Sequence, residues 1–179
     1  MSDPHTIIVH CSATHPDWME GETLWQKRQE IRRWHVDRNG WSDIGYHWLI
    51  DRNGQGVQGR EWTRQGAHVR GHNRGTIGIC LIGGHGSDSR DDFSDHFTPE
   101  QDEALRAKIE ELRRMFPSIE RVAGHNEFAA KACPGFLVPE WYATAPEVRP
   151  VPFDMDRMHR LIDTIESAAG EIRDMMEGM

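Results

Sequence analysis

The sequence predicts an α/β domain, a central mixed β-sheet with helices packed on it, followed by a C-terminal helical extension. Three observations carry that class. Short β-branched apolar runs, "TIIVHCS" and "TIGICLIGG", have the length and composition of buried strands. Two longer segments repeat apolar residues at helical spacing. Turn-forming pairs such as Asn39-Gly40 and Asn53-Gly54 separate one kind of segment from the other. Strands mixed with long helices bury their apolar faces by packing helix on sheet.

The elements follow in order. Thr6 to Ser12 reads as the first strand. "ETLWQKRQEIRRWHVDRNG" reads as a helix, with Leu24, Ile31 and Trp34 on one face and Asn39-Gly40 as its stop. "IGYHWLIDRNG" is a second strand ending in a turn, and "GQGVQGR" its hairpin partner. Thr76 to Gly84 is a third strand, and "GSDSRDDFSDHF" an exposed loop. Thr98 as N-cap, Pro99 at the first helical position and Gln101 at the third open a helix buried through Leu105, Ile109 and Leu112. "IERVAGH" is a fourth strand.

Residues 1–143 are thus expected to form one domain, and residues 144–153, which hold Pro146, Pro150 and Pro152, a linker. Residues 154–179 place Met155, Met158, Ile162, Ile165, Ala169, Ile172 and Met176 three and four apart, the seam of an amphipathic helix. That helix either packs back on the domain or mediates self-association.

Composition bounds the function. At 179 residues and 37% hydrophobic, the chain is long enough for a proper core. A formal net charge of −8 argues against a nucleic-acid partner, which calls for a basic face. No apolar run approaches the roughly 18–20 residues that span a bilayer, and the polar face of the tail helix is acidic, so no membrane contact is expected. The N-terminus lacks the basic start and apolar stretch of a secretory signal, so synthesis in the cytoplasm is the expectation. Cys11, Cys80 and Cys133 make an odd count, read as free thiols or metal ligands.

"GHNEFAAKACPGF" (Gly124 to Phe136) concentrates reactive side chains on one turn-prone loop. Its bland reading is a buried Cys133 and a solvated Lys131. Its chemical reading is zinc, held by imidazole nitrogen and thiolate with one position left for water. His125 follows a strand, and Cys133 lies across the loop. A third ligand from a neighbouring strand end falls on His10, and alternation then turns Cys11 toward the core. By spacing alone this is one candidate trio among eleven histidines. His5 and His15 read as surface residues, His47 and His35 as structural. Trp25, Trp34, Trp41 and Trp48 read as mostly core, with Trp18 and Trp62 as candidate groove aromatics.

The motifs "IIVHCSAT", "GWSDIGYHWLIDRNG", "GAHVRGHN", "TIGICLIGG", "FTPEQ" and "GHNEFAAKACPGF" resemble, in order and spacing, the zinc-dependent N-acetylmuramoyl-L-alanine amidases. This type 2 amidase family is related to peptidoglycan recognition proteins, and its short bacteriophage members, the endolysins, are the nearest in pattern. The resemblance implies one zinc ion held by His10, His125 and Cys133, catalytic roles for Tyr46 and Lys131, and substrate contacts at His68 and Asn73. Glu127 is a minor candidate base. Peptidoglycan is the implied partner, and cleavage of its muramoyl–L-alanine amide in host lysis the implied activity. A wall-binding module without activity is the rival. A phage RNA polymerase is a further implied partner, set against a sequence that departs from those members in its tail.

Overall fold

The computed structural model describes residues 3–144. The expected helix over 154–179, its self-association, and all but the first residue of the expected linker lie outside the described residues.

A five-stranded mixed sheet organises the domain, in the order β3-β2-β4-β1-β5. Its strands are β1 (Thr6–Cys11), β2 (Trp48–Ile50), β3 (Gly56–Gln58), β4 (Thr76–Leu81) and β5 (Arg121–Gly124). β1 runs parallel to both β4 and β5, and β2 runs parallel to β4. β3 closes one edge as an antiparallel hairpin with β2. β1 and β4 are buried along their whole length. That explains their unbroken apolar sequences, because a parallel strand covered on both faces has no polar side to show.

Two helices cover the two faces. α1 (Leu24–Arg33) and α3 (Pro99–Met115) are the long ones, with a single turn α2 (Phe93–His96) before α3 and a short α4 (Val138–Ala143) at the end of the described residues. Ile7, Val9, Ile77, Ile79 and Leu81 meet Leu105, Ile109 and Leu112 of α3 in the larger core. On the opposite face Leu49, Cys80 and Ile82 meet Leu24 and Ile31 of α1. His10 pairs in register with Cys80 and so shares the α1 face, whereas Cys11 joins the α3 core as alternation predicts.

Local chemistry pins each helix. Thr98 and Gln101 form a reciprocal capping box at the start of α3, and the Gln101 amide donates to the carbonyls of Ile82 and Ile50. Thr23 and Gln26 do the same for α1, whose buried Lys27 forms a two-pronged ion pair with Asp51.

Several expectations are corrected. The second strand starts at Trp48, not Ile44, because the backbones of Tyr46 and His47 pair with Arg60 and Gly59 outside the regular ladder. Gly45 packs so tightly on the Ala67 carbonyl that a Cβ there would sit 2.3 Å from its oxygen. The expected helix beyond Arg33 continues as a π-type turn over Trp34–Arg38. The exposed loop contains α2, and α4 was not anticipated. Trp25 is 54% and Trp41 36% exposed, so neither is core. Trp25 falls off the Leu24–Lys27–Ile31 stripe, and Arg28 stacks on its ring.

Candidate active site

The site lies at the carboxyl ends of neighbouring parallel strands. His10 is the penultimate residue of β1, and its ring is buried. His125 comes directly after β5 and opens a 3₁₀ turn. Cys133 returns to the same place across the following loop. The donor atoms of His10, His125 and Cys133 lie within 4.8 Å of one another, the one such group among the described residues.

The loop that carries Cys133 is fastened from several sides. The Asn126 amide donates to the carbonyls of Ser89 and Phe136. One oxygen of Glu127 accepts from the Gly124 N–H and the other pairs with Arg121. With both oxygens engaged, Glu127 braces the loop. Gly135 has φ 104°, a conformation that favours glycine, and a Cβ there would meet the Ser87 side chain at 2.7 Å. Cys133 Sγ accepts the Cys11 N–H at 3.3 Å, which ties the loop to the end of β1.

The donor set fits zinc. Cys133 Sγ stands 3.8 Å from His10 Nδ1. Zinc–sulfur and zinc–nitrogen bonds of about 2.3 and 2.0 Å at a tetrahedral angle place the two atoms about 3.5 Å apart. Protonation suits a ligand role as well. Burial, reinforced by His68, His125 and Lys131, holds the His10 imidazole well below its ordinary pKa. Burial and the Lys131 charge lower that of His125. Both rings are therefore neutral at pH 7, with a lone pair to offer. The hydrogen bond with Cys11, then burial, pushes the Cys133 thiol up, so metal binding must displace its proton.

Tyr46 and Lys131 border the trio. The Tyr46 ring lies 5.2 Å from that of His10. Burial, with the thiols of Cys80, Cys133 and Cys11 nearby, raises its pKa well above the ordinary value, so the phenol keeps its proton. Lys131 is exposed, and its charge reaches both imidazoles.

The other candidates fall into place. His68 is buried, with its Nδ1 3.0 Å from His10 Nε2. This contact spans 58 residues of sequence, and no local pattern announces it. Asn73 Oδ1 accepts the backbone N–H groups of His68 and Val69, which shapes their loop. His47 has both ring nitrogens bonded, to the Gly78 N–H and the Arg64 carbonyl. His35 accepts the Gly45 N–H and stacks near Trp41 and Tyr46. Trp18 packs on Trp34, and Trp62 stacks on Trp48. His15 stacks on His85 at the surface.

These neutral histidines, His47 and His68 buried and His35 half-buried, make stability depend on pH. Burial lowers His47 and His35 to about 4, and burial with the neighbouring His47 and His125 lowers His68 to about 3. The unfolded chain titrates its histidines near 6.5 and so binds more protons than the folded chain at any pH between the two values. Their contribution is complete above pH 6.5 and is lost as pH falls toward 4. For His47, fully buried, the loss is on the order of 3 kcal/mol. The thermal midpoint of the metal-free protein should hold steady from pH 8 to 7 and drop steeply between pH 6 and 4.5. A midpoint that stays flat to pH 4.5 contradicts this account.

Fold and donor set together define a class: an α/β domain with a candidate one-metal hydrolytic centre at the carboxyl edge of its sheet. Comparison with known proteins narrows it. The family described as N-acetylmuramoyl-L-alanine amidase matches residues 1–136. The endolysin of Enterobacteria phage K11 is 40% identical over 138 residues, 77% of this chain and 85% of that protein. The endolysin of Escherichia phage T7 is 39% identical over 136 residues, 76% and 83% of the two chains. Among solved structures, the N-acetylmuramoyl-L-alanine amidase LysC from Clostridium intestinale is similar with a TM-score of 0.61 and 26% identity, over 77% of this chain and 80% of that one. Bumblebee PGRP-SA is similar with a TM-score of 0.64 and 29% identity, over 85% and 87%. The chain belongs to the N-acetylmuramoyl-L-alanine amidase family.

Proposed function

We propose that this chain is a phage endolysin that hydrolyses the amide between the lactyl group of N-acetylmuramic acid and the L-alanine of the peptidoglycan stem peptide, as a zinc enzyme. The observation that carries the reading is the convergence of His10, His125 and Cys133 at the strand ends, with Lys131 and Tyr46 beside them. A wall-binding module that does not cleave has no need of this donor set. Zinc bound there supplies a positive charge that lowers the pKa of water and polarises the amide carbonyl.

The chain's own groups do the rest. Lys131, whose charge already reaches both imidazoles, offers its ammonium to the oxyanion of the tetrahedral intermediate. Tyr46 stays protonated and donates a hydrogen bond to the oxygen that gains charge. The Asn73 carbonyl oxygen is committed to its own loop, which leaves its amide N–H groups for the substrate. The protein is made in the host cytoplasm and meets the wall once the membrane is breached.

The test is release of new L-alanine N-termini from purified peptidoglycan, with bound zinc counted. Release should stop when a chelator strips the metal and return when zinc is restored. Release that continues from fully stripped protein would refute the zinc assignment. A zinc-loaded protein that liberates no L-alanine termini from several wall types would refute the amidase.

A further inference from the structure

We infer that His68 is a positioning residue, which holds the His10 imidazole in the tautomer and orientation that present Nδ1 to the metal. The two nitrogens of His10 face different partners: Nδ1 lies 3.8 Å from Cys133 Sγ, and Nε2 lies 3.0 Å from His68 Nδ1. The His10 and His68 rings meet edge to face at 83°. On its far side, His68 Nε2 lies 3.4 Å from Thr76 Oγ1. The Thr76 hydroxyl in turn lies 2.9 Å from the His72 carbonyl and 3.1 Å from that of Asn73.

Those carbonyls set the direction of the whole chain, because a carbonyl only accepts. The Thr76 hydroxyl donates to them and accepts from His68 Nε2–H. His68 Nδ1 then accepts from His10 Nε2–H, and His10 Nδ1 is left bare. The reverse order would put a proton on the nitrogen that faces Cys133. Sterics hold the relay in register. A Cβ at Gly66 or Gly78 would lie 2.5 or 2.6 Å from the His68 ring, so the ring sits where only glycine leaves room.

Substrate contact, the role that the family resemblance implies for His68, is hard to reconcile with this. Both ring nitrogens are engaged within the protein and the residue is 7% exposed. The functional consequence rests on the proposed zinc site, but the tautomer belongs to the metal-free chain and can be tested apart from it.

The experiment uses protein labelled with ¹⁵N at histidine. In the metal-free wild type at pH 7.5, long-range ¹H–¹⁵N correlation should show His10 protonated at Nε2. Zinc affinity is then measured by competition with a chromophoric chelator. His68→Leu should weaken zinc by ~10–100-fold, as loss of an outer partner of a metal-bound histidine does. His68→Asn, whose carboxamide oxygen can replace the Nδ1 acceptor, should recover most of that loss. If His68→Leu does not fold, the wild-type tautomer and the Asn variant still decide. A His10 proton on Nδ1 overturns the inference. So does full zinc affinity in His68→Leu combined with a raised KM, the signature of substrate contact. A wild type that binds no zinc but shows the Nε2–H tautomer supports the positioning contact and sinks the zinc reading alone.

Discussion

Cys133→Ser should leave the fold standing and reduce the release of L-alanine termini to background. A serine hydroxyl stays protonated at neutral pH and cannot replace thiolate as the third zinc ligand. The substitution is nearly isosteric. It removes one acceptor for the Cys11 N–H and substitutes another, so secondary structure and the metal-free thermal midpoint should change little. What changes is metal retention. Zinc counted after gel filtration should be about one per chain in the wild type and near zero in the variant. Activity that survives in Cys133→Ser, with zinc still bound, would remove Cys133 from the ligand set and with it the reading of the whole loop.

Lys131→Ala should lower kcat by about 10²–10³-fold, the usual consequence of removing one oxyanion donor, with KM little altered. Lys131 is exposed and fills no core space, so stability should be unaffected. Its charge is one of the causes that depress protonation of His10 and His125, and removing it favours protonation of both. Zinc should therefore remain bound at pH 8 but compete less well with protons below pH 6. Lys131→Arg keeps the charge and should retain a large part of the activity. A rise in KM at constant kcat would instead assign Lys131 to substrate binding.

The parts of the fold that could be read from sequence are those whose signals are local. β1 and β4 are unbroken β-branched runs because each is covered on both faces. α3 announces itself through Thr98, Pro99 and Gln101. The reach of β2 could not be read, because Tyr46 and His47 spend their backbone groups on Arg60 and Gly59, a choice set by the loop opposite. Tryptophan is a poor guide to burial here, since Trp25 is set by its angular position on α1 and not by its apolarity.

The same division applies to the site. His10, His125 and Cys133 could be selected because strand ends and a Pro-Gly turn are visible in the sequence, and family motifs point to the same three. Their mutual approach is seen only in three dimensions. The His68 contact with His10 depends on Gly66 and Gly78 leaving room for a ring, a steric condition with no periodicity to betray it.

The distance along the chain between Cys133 and His10, 123 residues, has a consequence for how the protein comes into being. A ribosome delivers the first histidine early and the sulfur near the end of the domain. No nascent chain shorter than this can assemble the trio. The site is thus silent throughout synthesis and becomes competent only after β5 has docked beside β1 and the last loop has closed. Once formed, a metal tie between the two ends of the domain bridges almost its entire contour and favours the closed chain over the open one. On the zinc reading proposed above, metal capture is a late checkpoint of folding, and resistance to proteolysis should rise at the same step as metal content.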